Sequence, residues 1–237
     1  MKLEALYRDA VRVGIANDLR GQDEIDRLLR DEKERYDKMK PEEREAYDPD
    51  RLFNPYADTR ILAGSPGTNV RRVLAGIDME VPEILLAHLL NANKGRKIDL
   101  VLAHHPEGPA LARLHEVMRL QPDLLAAAGV TLSVAEHLLE KRIAEVERRL
   151  LPVNHDRPVA AARVLGLPLV CIHTPADNCV TRCLQKRIDR DKPHRLKDLV
   201  KLLLDIPEYK ASARRQAKRP ILRLLSCPAQ PAQPISS

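Results

Sequence analysis

The chain has 237 residues, with 40 Lys and Arg against 34 Asp and Glu, 44% apolar and 3% aromatic side chains. That is the composition of an ordinary water-soluble globular protein, long enough for one large domain or two small ones. It excludes a peptide-sized disulfide scaffold. No run approaches the ~18 apolar residues of a membrane helix, and Glu4 and Asp9 stand where a secretion signal would be apolar, so a cytoplasmic protein is expected. Cys171, Cys179, Cys183 and Cys227 form no C-x-x-C pair and read as reduced thiols.

Charge is unevenly spread. Residues 1–60 carry 13 basic and 16 acidic side chains, whereas residues 179–237 carry 14 and 5. The basic end reads as a solvated helical surface. It has one aromatic, Tyr209, for stacking and no nucleic-acid motif, which argues against a nucleic-acid partner.

Leu3, Leu6, Tyr7, Val11 and Ile15 recur at helical spacing, and a charge-dense stretch interrupted by Pro41 follows. Residues 1–54 are therefore predicted as a charged helical arm with too few apolar positions for a core of its own. NPYADTRILAGSPGTN, with Pro55, Gly64, Pro66 and Gly67, reads as turns.

From residue 55 to 219 the pattern is that of an α/β domain. Residues 72–78 (RVLAGID) form a short apolar strand, Pro82 opens a helix, and KIDLVLAHH returns as a second strand. Strand, helix and strand in so little chain imply a βαβ unit with a parallel pair. One helix is predicted over 109–120 and another over SVAEHLLEKRIAEVERRLL, with Ser133 and Glu136 as a capping box. RPVAAARVLG then ends at Gly166 before a third strand, PLVCIH, and helices follow over about 177–189 and RLKDLVKLLLD. The predicted fold is a layered α/β architecture, a mostly parallel sheet flanked by helices, plus the N-terminal arm. Residues 220–237, including PAQPAQP, read as a low-complexity, disordered tail.

Ligands of an open parallel sheet bind beyond the carboxyl ends of its strands. Strand one ends in Asp78, strand two in His104 and His105, and strand three runs into His173, Thr174 and Asp177. Imidazole and carboxylate together suit zinc, manganese or iron. Consecutive histidines face opposite sides of a continuing strand, but where the chain turns at Pro106 both can reach one cavity. Asp177, four residues after His173, could bridge two ions, and such a pair would activate water and stabilise charge on a phosphoryl or carbonyl oxygen. Asp78 suits the cap of the next helix as well as a supporting role. His173 reads as orienting a neighbour or contacting substrate rather than ligating metal. Glu107 could support the pair, and no side chain is singled out as catalytic. G-x-G-x-x-G, Walker A and G-x-S-x-G motifs are absent.

AGIDMEVPEILLAHLLN, KIDLVLAHHPEGPAL and PLVCIHTPADN, in that order, resemble the NIF-three-like family of dinuclear-metal proteins, homologues of GTP cyclohydrolase type 2. The family shows a strand ending in Asp, then S/A-H-H-P, then H-T-x-x-D; the likeness spans residues 55–205. The resemblance implies an α/β fold, homo-oligomers, and one or two divalent metal ions per chain (zinc, manganese or iron) held by His104, His105 and Asp177. It also implies a metal-dependent hydrolase that uses a metal-bound water on an unknown small-molecule substrate. The alternative is a non-catalytic interaction or regulatory protein that meets a protein partner and keeps a vestigial metal site. Family members add a His and a Glu from a C-terminal segment, and no His or Glu follows residue 208 here. On this reading the chain is a truncated or frame-shifted member.

Overall fold

The computed structural model describes residues 1–93 and 97–215. The expected tail, residues 220–237, lies outside the described residues. Compactness divides the chain into two units, Met1–Arg182 and Cys183–Ser237.

In the first unit, helix α1 (Leu3–Ala16) is followed by α2 (Gln22–Asp37) and α3 (Pro41–Glu45). A single 3-10 turn, Pro49–Leu52, leads to strand β1 (Arg60–Ala63). Then come β2 (Val73–Gly76), α4 (Val81–Asn93) and β3 (Leu100–Ala103). Three short helices, α5 (Gly108–Ala112), α6 (Leu114–Val117) and α7 (Leu120–Ala127), precede the long α8 (Leu132–Leu150). Helix α9 (Arg157–Val164) and strand β4 (Leu169–Cys171) lead into α10 (Thr174–Asp191). The second unit comprises the end of α10 with α11 (Leu196–Leu204) and α12 (Pro207–Arg215). Within it, Arg187 reaches Asp205 at 3.2 Å.

The four strands form one sheet in the order β1-β4-β3-β2. The pairs β2–β3 and β3–β4 are parallel, as the strand–helix–strand pattern predicts, and β1 runs antiparallel beside β4 with Arg60 opposite Cys171. The mostly parallel α/β architecture expected from sequence is therefore the one observed. Strand β1 lies in the segment read as turns. RILA is only four residues long, too short for alternation to announce a strand.

Alternation places the two cores. Val101, Ala103, Leu169 and Cys171 face one side, against Ile84 and Ala87 of α4 and Val159 and Ala162 of α9. Leu100 and Val170 face the other, against Leu3, Tyr7 and Val11 of α1. So α1 buries its apolar stripe on the sheet. Its next turn carries Gly14, and Gly is needed there: a Cβ would stand 2.6 Å from Cβ of Pro175 at the start of α10.

Two local expectations are corrected. The single helix over 109–120 is broken, because Arg113 leaves helical geometry (φ −103°, ψ 11°) while its guanidinium binds Asp48 and Glu116. The Ser133/Glu136 capping box does not form: α8 begins at Leu132 with Thr131 as its cap residue, so Ser133 already lies inside the first turn.

Candidate metal centre

The sheet topology gathers the site at one rim. His104 and His105 continue β3, and their backbone N–H groups donate to the Gly76 and Ile77 carbonyls. His173 follows β4 by two residues, and Asp177 sits in the first turn of α10. Because the chain bends after β3, both rings of the His pair reach the same space. The ring centroids of His104, His105 and His173 are 4.9 to 5.8 Å apart. Each imidazole offers one nitrogen to a group whose members all lie within 4.8 Å of one another.

The Nδ1 atoms are all engaged, and only by acceptors. His105 Nδ1 donates to Asp78 Oδ1 at 2.6 Å, His173 Nδ1 to Asp58 Oδ2 at 2.8 Å, and His104 Nδ1 to the Ile172 carbonyl at 3.3 Å. A carbonyl or carboxylate can only accept, so the proton of each neutral ring is fixed on Nδ1 and the lone pair on Nε2. This is the arrangement that orients metal-ligating histidines.

Asp177 stands beside two of the three rings. Its carboxylate oxygens stand 3.5 Å from His104 Nε2 and 3.7 Å from His173 Nε2. Both separations exceed a good hydrogen bond. They match the roughly 3.4 Å between two donors bound tetrahedrally to one ion at 2.0–2.2 Å. By donor type, tautomer and spacing the residues fit a divalent cation.

Electrostatics divides the rings. Burial pulls His104 below its ordinary pKa, opposed by Asp177, so it is neutral and ready to ligate. For His173, burial acts downward but is outweighed by the hydrogen bond and charge of Asp58, with help from Asp177, and its pKa is raised. Glu107, almost fully buried, has its carboxyl pushed up to about 8 by burial and by nearby Glu80 and Asp78, against Arg157.

Sequence reasoning passed over Asp58. It is completely buried, accepts a second hydrogen bond from Thr174 Oγ1 at 2.6 Å, and lies two residues before β1. Antiparallel pairing brings the amino end of β1 to the carboxyl end of β4, and with it Asp58 to the site. An acid directly before an apolar run was the available signal. Cys171 Sγ donates to the Asp58 carbonyl at 3.4 Å, and burial lifts this thiol to about 12, which leaves it unreactive.

A buried polar network fixes this frame. Asn178 Nδ2 reaches the Gly14 carbonyl, Asp18 and Tyr56, while the Tyr56 hydroxyl donates to Asp18 at 3.0 Å. Thr59 Oγ1 accepts from the His173 backbone N–H at 3.1 Å. The end of α1, the segment before β1 and the start of α10 are thus tied together, one residue from Asp177.

No protein-family model and no curated protein matches the chain. Among solved structures, it is similar to a NIF3 superfamily protein from Sphaerobacter thermophilus, with 28% identity and a TM-score of 0.54. The match covers 64% of this chain and 55% of that one, so it spans about half the length of the neighbour. Among the described residues no helix is long and apolar enough to cross a membrane.

Proposed function

We propose that the chain is a NIF-three-like metal protein in which His104, His105 and Asp177, joined by His173, hold one or two divalent ions and serve metal-dependent hydrolysis of a small molecule. One observation carries this reading. Three rings with Nδ1 anchored on acceptors gather a compact group of nitrogens, two of which stand at cation spacing from the Asp177 carboxylate. The likeness to the Sphaerobacter protein supports the family.

A cation held there supplies polarisation of a phosphoryl or carbonyl oxygen and a lowered pKa for water in its shell. The chain's own residues do the rest. Asp58 and Asp78 hold the tautomers of His173 and His105, so neither ring has to reorient when a cation or a substrate arrives. The carboxylate of Asp177, about one-third exposed, would hold the cation beside His104 and His173. Asn178 anchors that turn of α10 and keeps the carboxylate in place.

The test is hydrolysis of phosphoester and nucleotide panels by purified protein supplied with Zn²⁺, Mn²⁺ or Fe²⁺. The expected result is turnover that chelation stops, fresh metal restores, and His105→Ala lacks. Turnover equal in the variant and insensitive to chelator, or no turnover of any substrate by metal-loaded protein, would remove the hydrolase reading.

A further inference from the structure

A cavity of about 540 Å³ opens between α2, the segment before β1, and the run from Arg113 into α7. That volume is ordinary for a small-molecule site. None of His104, His105, His173 and Asp177 lines it.

Its wall is rich in positive charge. Six arginines line it, Arg20, Arg35, Arg51, Arg60, Arg113 and Arg119, against three carboxylates, Glu32, Glu116 and Asp123. Four of the arginines belong to one alternating chain. Arg35 binds Glu32, which also takes Arg51 at 2.9 Å; Arg51 reaches Glu116 at 3.1 Å, and Glu116 takes Arg113 at 2.9 Å. Asp48 then joins Arg113 to Arg60, at 2.9 Å each. The chain begins and ends on a guanidinium, so its carboxylates are outnumbered. Arg20 is held by Asp18 at 2.8 Å with Asp123 at 3.8 Å, whereas Arg119 makes no side-chain hydrogen bond or ion pair among the described residues. With Asp18 and Asp48 counted behind the wall, six guanidiniums still face five carboxylates.

Donors are left over as well as charge. Arg51 spends Nε and Nη1 on Glu32 and Glu116, and Arg60, almost fully buried, spends the same atoms on Asp48 and the Tyr56 and Thr59 carbonyls. Nη2 of each has no partner among the described residues. His115 also lines the cavity, and its Nδ1 is buried without a hydrogen bond. Such an atom is costly unless a partner reaches it. Leu28, Leu29, Pro55, Val117 and Leu120 make part of the lining apolar.

We infer that this cavity binds a phosphate monoester, its phosphoryl group held by the free guanidinium nitrogens and its apolar body seated on the leucines. Guanidinium forks match phosphoryl and carboxylate oxygens alike. Here the free donors stand on three separate arginines, Arg51, Arg60 and Arg119, with His115 beside them. That suits a head with three terminal oxygens better than the two of a carboxylate. The site stands independently of the metal proposal.

Calorimetric titration of phenyl phosphate into the full chain, stripped of metal and kept in chelator, tests it, with inorganic phosphate, benzoate and benzyl alcohol in parallel. One saturable site per chain is expected, with phenyl phosphate bound at least about fivefold tighter than inorganic phosphate or benzoate, and benzyl alcohol not bound. Arg119→Gln breaks no internal bond, so it should keep the circular dichroism while weakening phenyl phosphate at least about tenfold. His115→Phe, which removes Nδ1, should weaken it too. Arg12→Gln removes the same charge from a side chain 74% exposed on α1, and should leave the affinity within about twofold. His104→Ala/His105→Ala should leave it equally untouched. Should His115→Phe fail to fold, Arg119→Gln decides alone. Absent binding of phenyl phosphate would overturn the inference, as would equal losses in Arg12→Gln and Arg119→Gln. So would binding that survives Arg119→Gln and vanishes in the double histidine variant, which would put the anion on the metal centre. Inorganic phosphate or benzoate matching phenyl phosphate would overturn the monoester assignment.

Discussion

Asp58 and Asp78 perform one task on two sides of the site. Each accepts from the Nδ1 of a histidine, at 2.8 Å on His173 and 2.6 Å on His105. Their surroundings are opposite: Asp58 is fully buried and also holds Thr174, whereas 69% of the Asp78 side chain is exposed. A buried hydrogen-bonded pair, with its remaining oxygens satisfied, has one arrangement available; an exposed pair competes with water and salt. The Asp58 side is therefore the fixed wall of the site, and the Asp78 side its adjustable one. Identical hydrogen-bond patterns do not imply equal rigidity.

Removing the fixed wall is expected to have the largest effect. Asp58→Ala leaves His173 buried without its partner and should cost about 3–5 kcal/mol in denaturant unfolding. Asp58→Asn keeps the volume but weakens the hold on the tautomer, and zinc affinity by calorimetry should fall roughly 10–100-fold.

Next comes Glu107, beside the adjustable wall. Its folded pKa of about 8 lies above the ordinary carboxyl value, so the native state binds the extra proton. The sign follows from linkage: stability is fully present below about 4.5 and is lost as pH rises through about 8. Glu107→Gln cannot ionise. Its melting temperature should match the unaltered protein at pH 4.5 and exceed it at pH 9; the same difference at both values would contradict the assignment.

A smaller loss is expected where α1 meets α10. Gly14→Ala drives a methyl into Pro175, and the shift needed should cost about 1–3 kcal/mol in chemical denaturation. The smallest effect belongs to Asp78. In Asp78→Asn stability should change by no more than ~1 kcal/mol, and any weakening of zinc binding should be below that of Asp58→Asn and eased further by salt. Equal effects at positions 58 and 78 would erase the distinction between the walls.

The chain announced part of this. His104, His105, His173 and Asp177 were legible because a parallel sheet places its strand ends on one rim, so short apolar runs ending in His or Asp already imply convergence. The βαβ pairing was legible for the same reason. Strand β1 and Asp58 were not. A four-residue edge strand has no periodicity to read, and its partner lies over a hundred residues downstream, so nothing local says that Asp58 meets His173. The direct hydrogen bond of Asp78 to His105 was similarly hidden, since an acid between a strand and a helix looks the same as a cap. His173 was set apart from the ligands on sequence, yet its ring joins the His pair.

Calorimetric titration of Zn²⁺ or Mn²⁺ into metal-stripped protein, beside the double variant His104→Ala/His105→Ala, tests the central claim most directly. The account expects saturable binding of one or two ions per chain, lost in the variant while both proteins give the same circular dichroism. Absent binding in the unaltered chain, or equal binding in both, would contradict it.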